Sequence, residues 1–328
     1  MDDTLQDLIE AQDMNALLRA VDGLCERHSW SELIDLAEAC EDAVDRGKQL
    51  WPIAEHIDYR LALEAPGDYA AQVISPDVGR FAHGPLTEVA ASTHTWEELA
   101  PHLDEPHIAA YVAQERVLRG EVLTGDERAH GEILEMPLAL EDWEPTYPLA
   151  TFRPSYAEIA EPWDPKDPLV EQDIARMEAI DDDELVDALL ELVQPWVAES
   201  NGAARAIVVD ADAISAASSL TLERLRMGRL EPAEAVQRMA WAAASGGAHG
   251  RRRGAAFGRF LARHTIAVIA GLGWPAPGEA IESALRELEW YRWDEGEEEE
   301  EGWVLRLAVE NDSQGWSAAI AATDLKNE

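Results

Sequence analysis

The chain has 328 residues, with 66 acidic and 26 basic side chains and a formal net charge of −40. This charge opposes nonspecific attraction to nucleic acids and anionic membranes, so we expect no direct nucleic-acid binding. The sequence contains no long apolar run, which excludes a membrane-spanning helix, and two cysteines are too few for a disulfide framework.

The start of the chain, Met1-Asp2-Asp3, lacks the basic and apolar segments of a signal peptide. We therefore expect a cytoplasmic protein whose cysteines, Cys25 and Cys40, are reduced. Three explanations of the acidity stay open: a high-salt habitat, a basic partner, and mimicry of nucleic acid.

Residues 1–130 show the apolar spacing of amphipathic helices. Leu17, Val21 and Leu24 lie on one helical face, and later segments keep this period. The pattern predicts a helical domain over residues 1–130.

Two similar motifs stand 66 residues apart in this region: His28-Ser29-Trp30-Ser31-Glu32 and His94-Thr95-Trp96-Glu97-Glu98. Each combines a hydroxyl residue with a glutamate three positions later, the pattern of a helix capping box. The likeness has two interpretations, a repeated helix pair of a solenoid and an ordinary helical domain. A solenoid would offer a curved surface to a partner.

Residues 131–170 combine seven prolines with five aromatic residues. Proline disfavours helix, whereas the aromatic side chains favour burial. We predict an extended strap or linker between two domains.

Residues 171–328 predict an α+β domain. Helices are expected near 182–193, 219–228, 232–245, 255–271 and 278–288, and a short strand near 206–210. The period changes to two at Trp290–Trp293, Trp303–Val309 and Trp316–Ile320, which predicts a small antiparallel sheet of three or four strands. The expected fold is mostly α, with a helical N-terminal domain, for which a solenoid-like arrangement is one of the two interpretations, and this α+β domain.

Positive charge is concentrated in residues 201–270, which carry ten arginines and five acidic residues. Its centre is a glycine-rich stretch before an apolar helix, and it provides the candidate anion-binding residues. They are Gly246, Gly247, His249, Gly250, Arg251, Arg252, Arg253 and Gly254. Glycine lets backbone N–H groups approach a ligand, and arginine binds phosphate through two hydrogen bonds.

Two other interpretations of this stretch compete with anion binding. The arginines could pair with the protein's own acids, such as Glu297–Glu301. Alternatively, glycines at positions 246, 250, 254 and 258 could line one long helix that packs closely. Because the glycines would cost such a helix about 4–5 kcal/mol relative to alanine, we favour a loop.

We predict no metal site and no cofactor. His83, His94, His102 and His107 lie within 25 residues but on separate elements, whereas zinc needs three or four convergent ligands. The sequence contains neither a phosphate-binding GKS/T loop nor a GxSxG, HExxH or CxxC motif.

Several strings resemble an uncharacterised family of actinobacterial proteins, mainly over residues 135–325. They are Trp143-Glu144-Pro145, Pro148-Leu149-Ala150-Thr151, Pro195–Gly202 and Ala244–Gly254. The resemblance implies a bacterial, cytoplasmic setting and carries over no activity.

The charge segregation favours a cytoplasmic binding or scaffold protein. Its acidic helical domain would bind a basic protein partner, and residues 246–254 would bind an anion or an acidic segment. The alternative is an enzyme acting on a phosphorylated or nucleotide substrate, with His249 and the arginines at its site. Mimicry of nucleic acid by the acidic surface is a third hypothesis.

Overall fold

A computed structural model describes residues 3–75, 83–159, 168–221, 223–296 and 302–325. The chain divides into two compact units. The helical unit comprises Met1–Ala139 and Ala150–Ile159, and the sheet unit comprises Leu140–Leu149 and Ala160–Glu328. The predicted strap is thus shared, since residues 140–149 belong to one unit and residues 150–159 to the other.

Short helices with buried apolar stripes build the helical unit. In α2, Leu17, Val21 and Leu24 are buried, and the carboxylate of Asp13 caps the helix by accepting from the N–H of Ala16 at 3.0 Å. The helices are α1 (Asp3–Ala11), α2 (Met14–Glu26), α3 (Trp30–Asp45), α4 (Trp51–Glu64), α5 (Gly67–Val73), α6 (Leu86–Thr93), α7 (Trp96–Leu99), α8 (Pro106–Leu118) and α9 (Gly131–Leu134).

A β-hairpin completes the helical unit. Its strands are β1 (Ala150–Arg153) and β2 (Tyr156–Ile159), paired antiparallel. Phe152 of β1 joins the core formed by α4, α6 and α8, and the hydroxyl of Tyr59 donates to the carbonyl of Arg153 at 2.5 Å. The hairpin is therefore held by both apolar and polar contacts.

The sheet unit is built on one antiparallel sheet whose strand order differs from the order of the strands in the chain. Its strands are β3 (Val170–Gln172), β4 (Ala203–Val209), β5 (Leu225–Leu230), β6 (Glu289–Asp294), β7 (Gly302–Asn311) and β8 (Trp316–Leu325). Its helices are α10 (Asp183–Glu191), α11 (Gln194–Ala198), α12 (Ala213–Leu220), α13 (Pro232–Ala244), α14 (Ala255–Ile269) and α15 (Gly278–Glu287). Within the described ranges the strand order is β3-β5-β6-β7-β8-β4.

Both helix–sheet and helix–helix packing contribute to the core of this unit. Helix α12 packs its alanines against Val209, Trp293, Ala308 and Ala319 of the sheet. Helices α13 and α14 pack against each other at Gly258, where a Cβ would lie under 3.0 Å from the carbonyl oxygen of Ala240. A glycine at this position therefore sets how closely the two helices approach.

The fold prediction is wrong in its sheet. In the described part of the chain, six strands form one antiparallel sheet, rather than three or four, and a second sheet of two strands lies within the predicted strap, residues 131–170. The helix expected near 219–228 is also wrong, because α12 ends at Leu220 and Leu225–Leu230 is strand β5. Strand β5 pairs with β6, with Arg226 opposite Asp294 and Leu230 opposite Trp290. This pairing between distant residues stabilises the strand and overrides the local helix propensity of the segment.

The two similar motifs do not head equivalent helix pairs. Thr95 and Glu98 form the predicted capping box, whereas the side chain of Ser29 makes no capping hydrogen bond. The helices that follow also differ, with 16 residues in α3 and 4 in α7. The solenoid-like arrangement is accordingly not part of the described fold.

Candidate functional site

The stretch Gly246–Gly254 is a loop between α13 and α14, here called the Gly-Arg loop. Gly247 and Gly254 have positive φ angles of 72° and 96°, a region that favours glycine. A Cβ on Gly246 would lie under 3.0 Å from the backbone of Gly250 and Arg251, so the loop folds tightly on itself. The alternative of one continuous helix is therefore wrong.

The backbone N–H groups of the Gly-Arg loop donate to the protein's own side chains. Ala248 donates to Oδ2 of Asp324 at 2.5 Å, and Arg251 donates to Oε2 of Glu199 at 3.2 Å. His249 donates to the hydroxyl of Ser200 at 3.1 Å, and its ring is exposed. Two internal carboxylates and one hydroxyl thus accept from N–H groups that a bound anion would need.

The arginine side chains of the loop are also engaged within the protein. Arg253 donates to Oε1 of Gln194 at 2.8 Å and lies 3.6 Å from Glu199. Arg252 is 7% exposed, and both Arg251 and Arg252 have interaction partners. The expected partners at residues 297–301 lie outside the described residues. An anion site in this loop stays a prediction, with Asp324 and Glu199 as competitors for its donors.

Other arginines of the basic segment 201–270 pair with acids from outside that segment. Arg224 lies 3.2 Å from Glu171, and Arg226 lies 2.6 Å from Asp294. The positive charge visible in the sequence is therefore largely neutralised within the sheet unit.

One pairing of this kind is fully buried and was not expected from the sequence. Arg259 of α14 lies 2.7 Å from Glu144, and both side chains are fully buried. Arg263 lies 2.6 Å from both Glu141 and Glu144. Arginines four residues apart on an apolar helix, with glutamates three residues apart in a proline-rich segment, are the signal that could have indicated this cluster.

The helical unit contains a cleft of about 660 Å³ that both similar motifs line, here called the His-Trp cleft. It lies where α2, α4 and α6 end and where α3, α5 and α7 begin. Its lining residues are His28, Trp30, Glu64, Ala65, Pro66, Gly67, Asp68, Thr93, His94, Glu98 and His102. The two motifs thus converge on one cleft although their backbones differ.

Buried hydrogen bonds fix one wall of the His-Trp cleft. The ring of His94 lies between two backbone carbonyls, with Nε2 at 2.7 Å from Ala65 and Nδ1 at 3.0 Å from Ala90. The hydroxyl of Thr93 donates to the carbonyl of Leu63 at 2.9 Å. These bonds tie the end of α6 to the end of α4, so the wall is held by the backbone.

A second close contact joins two helices that line the cleft. A Cβ on Gly67 would lie under 3.0 Å from the carbonyl oxygen of Glu98, so glycine allows α5 and α7 to meet. Oε2 of Glu98 accepts from the N–H and hydroxyl of Thr95, each at 2.8 Å. These hydrogen bonds lower the pKa of Glu98, so its carboxyl stays ionised.

His28 forms part of the cleft rim in a backbone conformation that usually needs glycine. Its φ is 55°. At this end of α2, the N–H of His28 donates to the carbonyl of Cys25, and the N–H of Ser29 donates to the carbonyl of Leu24. This Schellman ending favours glycine, and another residue costs about 1 kcal/mol there. The ring of His28 packs edge-on against Trp30, with 5.5 Å between centroids.

The histidines at positions 83, 94, 102 and 107 do not form a metal-binding group with other described residues. No group of three His, Cys, Asp or Glu side chains within the described ranges has the geometry to bind a metal ion. Burial lowers the pKa of His83, while His94 bonds to backbone carbonyls.

No helix in the described part of the chain is long and apolar enough to cross a membrane. Burial raises the pKa of both thiols, Cys25 and Cys40, to about 11, and both are free and buried.

These features define a helix-rich α+β protein with an acidic helical unit and an internally paired basic loop. The chain belongs to a family of unknown function, DUF6183, whose sequence profile matches residues 15–326. The expected membership of an uncharacterised family is therefore confirmed, and the match extends beyond the residues 135–325 that carry the resemblance. Comparison with curated proteins and with solved structures gave no match.

Proposed function

We propose that the protein is a binding protein whose helical unit holds a basic segment of a protein partner. The observation that carries this proposal is the His-Trp cleft, which has Glu64, Asp68 and Glu98 among its lining residues and, within the described ranges, neither lysine nor arginine. Charge complementarity with a cationic segment follows from that composition.

The charge of the whole helical unit supports the same partner chemistry. Its residues include 30 acidic side chains and 10 lysines and arginines, a net charge of −20 with neutral histidines. Such a field attracts a basic chain before contact and speeds its association, and salt weakens the effect.

The Gly-Arg loop contributes less to this proposal. An anion or acidic segment at residues 246–254 would have to displace Asp324 and Glu199 from the N–H groups they accept. The phosphate-directed enzyme stays an alternative prediction, and the resemblance to actinobacterial proteins supports a bacterial cytoplasmic setting.

Fluorescence anisotropy with labelled peptides tests the proposal. We expect the full chain to bind an oligo-arginine peptide, to release it as salt rises, and not to bind an oligo-glutamate peptide of equal length. The matched variant R251A/R253A changes only the Gly-Arg loop and should bind the basic peptide as the parent does. Absence of basic-peptide binding at low salt would contradict the proposal.

A further inference from the structure

We propose that the His-Trp cleft receives the guanidinium group of a single arginine side chain of that basic segment. This inference rests on the proposed function and adds the side chain that the cleft recognises. It concerns the part of the cleft that is lined by His28, Asp68 and Glu98.

The three cleft carboxylates differ in how many acceptor positions remain for a ligand. Both oxygens of Glu64 accept from Arg60, at 3.0 and 3.1 Å, so this side chain is already paired. Oε2 of Glu98 is used by Thr95, whereas Asp68 is exposed in the first turn of α5. Asp68 and Oε1 of Glu98 are therefore the acceptors that a guanidinium would use.

The exposed ring of His28 favours arginine over lysine in this cleft. The rings of His28 and Trp30 meet edge to face, and both line the cleft. A guanidinium is planar, stacks on aromatic rings and donates five hydrogen bonds in a fixed fork, whereas an ammonium is a compact, strongly hydrated charge. The exposed ring of His28, together with two carboxylates, suits the planar cation, whereas Trp30 is only 8% exposed and supports that ring from behind.

A substitution at His28 can remove a cleft side chain without disturbing the fold. Because the positive φ of this residue suits glycine, His28→Gly removes the ring and leaves the Schellman hydrogen bonds of Ser29 and His28 in place. The variant should fold at least as well as the parent, so a loss of binding would report on the ring itself.

Isothermal titration with three short peptides, identical except for one central arginine, lysine or citrulline, tests the inference on the full chain. Citrulline keeps the shape of arginine and removes its charge. We expect arginine to bind about tenfold more tightly than citrulline and more tightly than lysine. His28→Gly and Asp68→Asn should each weaken the arginine peptide about fivefold or more.

The control variant is Glu10→Gln, which removes one negative charge from the same unit at an exposed residue outside the cleft. It should leave the arginine affinity within about twofold. Circular dichroism and urea unfolding check that each variant is folded. Equal binding of arginine and citrulline, or unchanged binding by both cleft variants, would overturn the inference.

The failure of the inference and that of the proposed function are distinguishable. If oligo-arginine binds and Asp68→Asn and Glu10→Gln weaken it equally, diffuse charge explains binding and the cleft inference fails alone. If no basic peptide binds the folded chain, both fail.

Discussion

Arg259 and Glu144 form an ion pair 2.7 Å long in which neither side chain is exposed to solvent. Two hydrogen bonds join them, from Nε to Oε2 and from Nη2 to Oε1, and Arg263 donates to the same carboxylate. A residue of the proline-rich segment is thereby the counterion for two arginines of α14. This pairing places Glu144, in the part of the segment that belongs to the sheet unit (residues 140–149), in the interior of that unit.

Removing Glu144 should destabilise the protein severely. Glu144→Ala leaves two buried guanidinium groups with reduced compensation, and we expect a loss of about 3–5 kcal/mol in the free energy of unfolding. Urea unfolding measures it. The exposed pair Arg229–Glu289 serves as the control, since Glu289→Ala should cost less than about 1 kcal/mol. Similar costs for the two substitutions would contradict a buried structural role of Glu144.

Gly258 should tolerate no side chain. Gly258→Ala places a Cβ against the carbonyl of Ala240 and forces α13 and α14 apart, which we expect to cost about 1–3 kcal/mol. Gly273→Ala is the matched control, because a Cβ there has no atom within 4 Å. Thermal unfolding of both variants provides the measurement. An equal change in Tm would show that the close contact at Gly258 does not contribute to stability.

Asp58 should make the helical unit less stable as pH rises. Burial, followed by the charges of Glu41 and Glu55, raises the pKa of its carboxyl from 3.8 to about 7. Between about pH 4 and pH 7, the folded protein therefore retains a proton that the unfolded chain releases. The free energy of unfolding falls over this range and does not fall further above about pH 7, where both states have lost the proton.

Asp58→Asn removes this dependence. We expect the variant to match the parent near pH 4 and to exceed it at pH 8 by on the order of 2 kcal/mol, which allows for partial solvent contact of the carboxyl. Urea unfolding across this range provides the measurement. A difference between the two proteins that does not change with pH would refute the assignment.

Asp324 should hold the Gly-Arg loop closed. The carboxylate is fully buried and accepts from the N–H of Ala248, so Asp324→Ala leaves that donor without an acceptor. We expect amide hydrogen exchange at residues 246–253 to accelerate about tenfold, while Asp324→Asn, which keeps an acceptor, changes it less. Unchanged exchange in Asp324→Ala would show that this contact does not anchor the loop.

Local patterns were sufficient for much of the secondary structure. Helices α13, α14 and α15 begin at the predicted residues 232, 255 and 278, because Pro232, Gly254 and Pro277 mark helix starts in the sequence itself. The alternation at Trp303–Val309 likewise predicted β7. These elements have local signals that tertiary contacts do not override.

Contacts between distant residues could not be predicted in the same way. The loop partners Glu199 and Asp324 stand 52 and 76 residues from Arg251 and Ala248, and no local pattern connects them. Likewise, β5 forms because β3 and β6 flank it on both sides, so the enlarged sheet depends on strand order rather than on propensity. The charge count revealed a basic segment and not the acids that neutralise it.

Of the two interpretations of the similar motifs, a repeated helix pair is wrong. His28 has a positive φ and His94 is extended, so the motifs share no backbone conformation. What they share is position, since each follows a helix and reaches the same cleft. A short sequence likeness therefore indicated spatial convergence and not a structural repeat.

Hydrogen exchange of the full chain with and without an oligo-arginine peptide tests whether the helical unit binds a basic segment at the His-Trp cleft. We predict slower exchange at residues 27–31, 64–70 and 93–102, which flank the cleft, and no change at 246–254. Protection confined to the Gly-Arg loop, or spread evenly over the helical unit, would contradict this account.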